Sequence, residues 1–445
     1  MGVRKPATVR PASLGSKRLE ENLKRVLKTP EVLLIGINGV IGGGIFLLPG
    51  AVARLAGPYA VWAYLVAGLI VTLVGLSFAE VSSMYTRTGG AVVYAEEAMG
   101  RTAGFAVGWM GWLTYVAGWA ALSSGLVTYL SNLVPALARF DNVIIVAIVG
   151  LLCVLNTYGV KRGAYAIVFF TVAKIIPLLL LVIVGLLYFG PAHAGAAASV
   201  PRGFGAAVLM LIFAYGGFEM ATIPSGEMAN PRKTIAAVII GTLVLVTGFY
   251  MLIQLAAMRL DPGIAAARSP LATAGAAMFA GGALVMTIGA ALSILGTKSG
   301  IALAAPRQLY ALGRDGLLPA FVAHIFAKQK TPVAAIWITG TLVMVAAVTG
   351  TFTKLILLNV AARLFEYAMV CLSTLILRFR AKHAERLYRL PFGIAIPLVG
   401  TLLCIGLLTR ETARELLVAL AALVVGLILH AGTRSARGMR SGERR

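Results

Sequence analysis

Negative charge is scarce in this chain. Asp and Glu number 16 in 445 residues, against 39 Lys and Arg. Only 12% of residues are charged at all, where an ordinary soluble domain is nearer a quarter. Too little polar surface remains to clothe a globule of this size in water. Histidine is rarer still: His193, His324, His383 and His430 lie far apart and show no metal-ligand spacing, so no metal or other cofactor is expected. The three cysteines, Cys153, Cys371 and Cys404, sit inside apolar runs, which reads as buried packing and excludes a disulfide framework. A membrane-embedded enzyme would need a metal set or a nucleophile–base pair at membrane depth, and the scattered histidines offer neither.

What is abundant is apolar: 59% of residues are hydrophobic, and there are 50 glycines. Small residues let membrane helices approach closely. The apolar residues lie in runs of about 20 or more, the length a helix needs to cross the hydrocarbon core. Backbone groups cannot stay unpaired in lipid, so these runs read as helices. The short alternating segments of a transmembrane barrel are missing. The stretch before Glu31 is polar and basic, without the short apolar core and cleavage site of a signal peptide.

The expectation is an all-α polytopic membrane protein with twelve spans, at 31–55, 59–85, 101–134, 142–157, 162–189, 204–227, 234–258, 281–313, 332–350, 353–379, 393–409 and 411–431. Breaks at 135–141, with Pro135 and Asp141, and at 190–203, with Pro191 and Pro201, separate the runs clearly. Twelve spans put both termini on one side. Of the 39 Lys and Arg, 28 fall on the side of the termini, 8 on the other, and Lys174, Lys298 and Arg363 lie within spans. That bias predicts cytoplasmic termini, in a multi-pass protein of the cell membrane. It also accounts for the net charge of +23 without a nucleic-acid partner, since the basic loops face anionic lipid headgroups.

Two spans carry interruptions. The first reads Gly39-Val40-Ile41-Gly42-Gly43-Gly44-Ile45-Phe46, and each mid-span glycine costs about 1 kcal/mol in helix propensity. The sixth reads Phe213-Ala214-Tyr215-Gly216-Gly217-Phe218-Glu219, with paired glycines and an acid at membrane depth. The first interruption opens a block of five spans (31–189) and the second opens another five (204–379). Five is odd, so the second block is inverted relative to the first. Interrupted helices at matching positions of inverted halves point to a transporter's central site. Glycine for tight packing is the simpler alternative for either one alone. The remaining segments are an N-terminal cytoplasmic tail (1–30), two peripheral spans (393–431) and a C-terminal tail (432–445).

At these residues the chain resembles the amino acid–polyamine–organocation transporter family, over nearly its whole length. The stretch Gly39 to Gly50 is similar to the family's glycine-rich first-helix motif. Phe78-Ala79-Glu80, then Gly89, Gly90 and Tyr94, resembles the segment after helix 2. Asn156 to Gly163 is similar to the turn between helices 4 and 5. Phe213 to Glu219, with Glu227, Asn230 and Pro231, resembles helix 6 and its exit. Pro306-Arg307, Tyr310 and Gly313 to Pro319 are similar to the end of helix 8. Arg389-Leu390-Pro391-Phe392 resembles the loop before helix 11. The resemblance implies an inverted five-plus-five repeat with broken helices 1 and 6, and secondary transport of amino acids or related amines.

An α-amino acid carries a carboxylate and an ammonium, and both need fixed dipoles in place of water. The N–H groups of Gly42, Gly43 and Gly44 are expected to take the carboxylate, since glycine admits it to the backbone without a Cβ in the way. Carbonyls near Val40 and Ile41, with those of Phe213 and Ala214, are expected to face the ammonium. Tyr215 and Gly216 complete the sixth-span break. Phe213 matches the family's aromatic gate, with plain packing as the alternative. Glu219 is a structural or gating acid, or a site for a cationic group. Lys174 is costly in mid-membrane if charged and unpaired. It can titrate there, and proton-coupled relatives carry a lysine at this position, so it is the proton-coupling candidate; pairing to backbone carbonyls is the alternative. Lys298 either lines the cavity or snorkels to the cytoplasmic side. Arg363 and Glu366, three apart, suit an ion pair on one helix face.

The leading expectation is a proton-coupled amino acid symporter whose partners are the amino acid substrate, protons and membrane lipids. An amino acid/amine exchanger stays open, as does a non-transporting sensor, though the polar tails leave little room for a signalling domain. Within the spans, Lys174, Lys298 and Arg363 offset Glu219, Glu227 and Glu366, so charge selects no substrate class.

Overall fold

The structure is a computed structural model, and it describes residues 29–85, 89–158, 163–187, 199–219, 231–325 and 331–442. Among them the regular elements are all helical: α1 (Thr29–Val40), α2 (Gly44–Leu47), α3 (Pro49–Ala56), α4 (Ala60–Met84), α5 (Ala91–Met99), α6 (Arg101–Leu133), α7 (Asp141–Tyr158), α8 (Gly163–Leu187), α9 (Phe204–Ala214), α10 (Pro231–Leu260), α11 (Pro270–Ala276), α12 (Gly282–Arg314), α13 (Val333–Thr349), α14 (Phe352–Arg380), α15 (Ala395–Leu408) and α16 (Ala413–Gly442). Seven helical segments among the described residues are long and apolar enough to cross a membrane, and five more apolar helices span 10–17 residues. An all-α membrane protein is the only spanning class such runs allow once barrels are excluded.

Burial separates centre from rim. The most apolar window of α6 is 89% buried inside the protein, whereas that of α16 is 11% buried and turns Leu417, Leu420 and Ile428 outward. Around α6 pack α12, α13 and α14, while α10 lies along α4. The outer helix α16 is pinned to α6 where the Trp109 indole donates to the Ala422 carbonyl (2.7 Å) and the Phe105 ring stacks on His430 at 4.6 Å.

Two features depart from the spans read off the sequence. Two short helices, α5 between Gly90 and Gly100 and α11 starting at Pro270, occupy stretches outside the expected spans and outside the long apolar runs. The helix α16 continues to Gly442, past the expected end at 431, because Arg and Ser are adequate helix formers once lipid no longer demands apolar residues. Residues 159–162 of the expected 4–5 turn, and Glu227 and Asn230 at the exit of span 6, lie outside the described residues.

Two of the resembling segments, far apart in sequence, are joined by one buried carboxylate. Glu80 at the end of α4 accepts from Nε of Arg378 (2.7 Å) and from the backbone N–H of Leu390 (2.7 Å), and it also pairs with Arg378 Nη2 and with Arg386. Beside it the Ser83 hydroxyl meets both the carbonyl and the N–H of Tyr388 at 3.4 Å. The end of α4 is thereby fastened to the end of α14 and the loop that follows.

Candidate functional site

The first interruption begins where α1 ends at Val40. The Ile41 N–H still reaches back to the Ile37 carbonyl (2.8 Å), but the Gly42 N–H closes a tight turn onto the Val40 carbonyl (2.8 Å). The helix restarts at Gly44, and Leu48 bonding back to Gly44 carries it on into α3. The turn is clasped by neighbours. A Cβ on Gly43 would lie 2.6 Å from the Leu122 side chain of α6 and 2.7 Å from the Ile294 side chain of α12, so a larger residue fits only if those side chains give way. The restarted half is held to α6 where the Tyr129 hydroxyl donates to the Phe46 carbonyl (2.5 Å).

The second interruption begins where α9 ends at Ala214. Gly216 N–H bonds back to the Phe213 carbonyl (3.2 Å), tightening the last turn, and Gly217 then turns away with φ of 114°. Only glycine holds that conformation cheaply, and here the space is closed as well: a Cβ on Gly217 would lie 2.2 Å from the Gly39 carbonyl oxygen. The two breaks therefore touch. A Cβ on Gly44 would lie 3.1 Å from the Ala214 Cα and 3.3 Å from the Phe213 ring.

Side chains from outside both breaks complete the junction. From α10, the buried Tyr250 hydroxyl lies 2.9 Å from the Val40 carbonyl and 3.2 Å from the Ala214 carbonyl, within reach of both helix ends at once. From α8, the buried Lys174 Nζ donates to the Asn38 carbonyl (2.9 Å) and to its side-chain oxygen (2.6 Å), just ahead of the first break. Tyr215 turns away from the junction, and its hydroxyl donates to the Tyr64 carbonyl of α4 (2.8 Å).

The acid of the second break is fully engaged. Glu219 accepts from the Gly217 N–H (3.0 Å), pairs with Arg363 of α14 (2.5 Å) and accepts from the Tyr367 hydroxyl (3.2 Å). The expected same-face pair of Arg363 with Glu366 is replaced by this one. Arg363 crosses to Glu219 because the open face of Gly216 leaves room for the guanidinium, which stands 2.1 Å from where a Cβ would be. The pair is almost fully desolvated, at 9% and 10% side-chain exposure. Lys298, by contrast, is wholly buried on α12, so it does not snorkel, and its Nζ has no hydrogen-bond partner among the described residues.

A recess of a different kind lies elsewhere on the molecule. A groove of about 610 Å³ runs between α8 and α12, lined by residues such as Val172, Ile176, Pro177 and Leu292. It offers almost no polar groups, and Val172 and Ile176 are more than half exposed, so this is a lipid-side groove with nothing to hold a zwitterion. One titratable group outside the spans stands out. Glu411, in the turn before α16, is buried with neither carboxylate oxygen hydrogen-bonded among the described residues, and burial followed by the neighbouring Glu415 pushes its carboxyl up to about 8.

Residues 27–428 match the family described as Amino acid permease. The chain belongs to it. It is thus a membrane transporter and not an enzyme, in agreement with the resemblance read from the sequence. It is 29% identical over 396 residues to a serine/threonine exchanger of Bacillus subtilis (strain 168), covering 86% of this chain and 90% of that one. It is 30% identical over 414 residues to a branched-chain amino acid permease of Lactococcus lactis subsp. cremoris (strain MG1363), covering 86% and 88%. It is also 28% identical over 422 residues to a methylthioribose transporter of Bacillus subtilis (strain 168), covering 88% and 90%.

For this permease the structure brings Val40, Ile41, Gly42, Gly43, Gly44, Phe213, Ala214, Gly216 and Glu219 to one junction, with Lys174 one residue-length behind it. Sequence reasoning missed Asn38, Tyr250 and Tyr367. A signal was available for the tyrosines: a hydroxyl at membrane depth needs a partner, and carbonyls freed by a broken helix are the nearest candidates.

Proposed function

We propose that this permease is a secondary active transporter that moves amino acids across the cytoplasmic membrane by alternating access, with proton symport through Lys174. The observation that carries the reading is the meeting of two broken helix ends, with helix-end dipoles of both signs, at one buried point. The restarted half of helix 1 offers N–H groups at Gly43 and Gly44 to a carboxylate, and the ends at Val40 and Ala214 offer carbonyls to an ammonium. Twelve spans in two inverted blocks of five, plus two peripheral spans, give the two breaks their pseudo-symmetric placement.

Lys174 ties α8 to α1 through Asn38, so its protonation state bears on whether these two elements move together. A proton that binds one conformation better than the other shifts the population between them. The charge bias of the loops supports cytoplasmic termini. Purified protein reconstituted in vesicles, given radiolabelled amino acids with and without an inward proton gradient, tests the reading. Gradient-stimulated uptake of at least one amino acid is expected. Uptake that ignores the gradient but requires internal amino acid supports exchange, the activity for which one relative is named. Uptake of methylthioribose alone would overturn the amino acid assignment. A C-terminal reporter active only outside the cytoplasm would overturn the orientation.

A further inference from the structure

The Tyr250 hydroxyl stands where two carbonyls converge, and its chemistry does not match theirs. Val40 and Ala214 each end a half-helix, so each carbonyl carries the partial negative charge of a helix C-terminus. Two such ends face one hydroxyl, at 2.9 and 3.2 Å. A phenol has one proton, so it satisfies one carbonyl at a time. The Val40 oxygen also accepts the Gly42 N–H, which commits both of its lone pairs while Tyr250 bonds to it. The hydroxyl itself is held firmly. The Tyr250 ring meets Tyr64 edge-on at 6.0 Å and Tyr215 at 5.4 Å, and it is wholly buried.

We propose that Tyr250 is a positioning residue: in the empty carrier its hydroxyl stands in for the substrate ammonium and ties the two broken helices together, and the arriving ammonium takes over the Val40 carbonyl while Tyr250 keeps that of Ala214. This rests on the transport reading above. An ammonium has three protons and can complete the bonding that one phenol leaves short. The tether therefore matters most when no substrate is present. The empty carrier needs it to cross the membrane as one body, whereas in the loaded carrier the ammonium bonded to Val40 has protons left to serve the Ala214 carbonyl if the hydroxyl is removed.

The consequence is a split between two modes of transport. Net uptake includes a return step with the site empty; exchange moves the carrier loaded in both directions. Tyr250→Phe keeps the ring packing and removes only the hydroxyl. Net uptake is expected to fall by about five- to tenfold, the factor worth one hydrogen bond of ordinary net strength. Exchange should stay within about twofold, and the KM for exchange should hold or fall, since the empty state loses more than the loaded one. Equal losses in both modes would show a merely structural tyrosine and overturn the proposal, as would no loss in either. Tyr250→Ala, which also removes the ring, should depress both modes together.

A second measurement reads the tether without transport. Amide hydrogen exchange over peptides covering 38–48 and 211–218 should quicken in Tyr250→Phe protein free of substrate. Unchanged exchange in both peptides overturns the tether even if transport is lost. Quickened exchange in a protein that moves no amino acid would keep the tether and discard the transport reading.

Discussion

The two interruptions pose the same physical problem and solve it differently. Each leaves backbone groups without helical partners at membrane depth, where water cannot serve them. At the first break the remedy is neutral or single-signed: a tight turn at Gly42, the Tyr250 hydroxyl, and Lys174 bonded to Asn38. At the second it is ionic: Glu219 accepts the Gly217 N–H and is itself neutralised by Arg363 and steadied by Tyr367. The first break presents backbone with no charged side chain of its own to close it. The second is closed by its own salt bridge, which suits a hinge or gate more than a binding surface. A symmetric-looking pair of sequence breaks is thus completed by unlike chemistry.

The largest effect should come where the breaks touch. Gly217→Ala adds a Cβ at 2.2 Å from the Gly39 oxygen and forces a left-handed backbone on alanine. We expect uptake in vesicles to fall at least about a hundredfold, as expected when a displacement near 1 Å disturbs a positioned site. Gly43→Leu, which collides with Leu122 and Ile294 instead, should abolish uptake while leaving a folded, inserted protein by size-exclusion chromatography. Normal uptake by either variant would break the claim that the junction is the site.

The next effect tests the ionic remedy. Arg363→Met leaves the Glu219 carboxylate buried without its guanidinium, and should cost about 3–5 kcal/mol of stability, read as a fall in melting temperature in detergent. The double variant Glu219→Gln, Arg363→Met removes both charges and should recover much of that loss. If the double variant is no better than the single, the pair is not acting as a pair.

A smaller change tests the first break. Lys174→Ala should retain substrate-dependent thermal stabilisation but lose the response of uptake to a proton gradient. A full response in the variant would make Lys174 structural. The smallest effect sharpens the contrast from outside both breaks. Glu411 is a buried acid with no counter-ion among the described residues, and its carboxyl is raised to about 8. A raised acid stabilises the fold fully at low pH and loses that contribution as pH climbs from the ordinary carboxylate range through about 8. Glu411→Gln should flatten this part of the stability–pH curve, and an unaltered curve would contradict the shift.

Much of this was legible in the sequence. Long apolar runs with few charges fix the helical membrane class because lipid permits little else, and Gly42 to Gly44 and Gly216–Gly217 mark the breaks because glycine at membrane depth has a local cost. What stayed hidden was pairing across helices. Arg363 sits three residues from Glu366 and reads as a same-face pair; only packing brings it to the bare face of Gly216 and on to Glu219. Tyr250 reads as an ordinary aromatic in span 7, since nothing local says that two helix ends converge on its hydroxyl. The short helices α5 and α11 escaped for a different reason: they are stabilised by docking on larger neighbours and not by a pattern of their own.

The buried Glu80 carboxylate bears on how the protein is made. Its counter-ion Arg378 lies 298 residues further along the chain, and the Leu390 N–H 310 residues further. At about 5–20 residues per second, α4 enters the membrane some 15–60 s before these partners leave the ribosome. Through that interval the carboxylate lacks these partners, so it must wait in the interfacial water. Seating the end of α4 is therefore a late step of biogenesis.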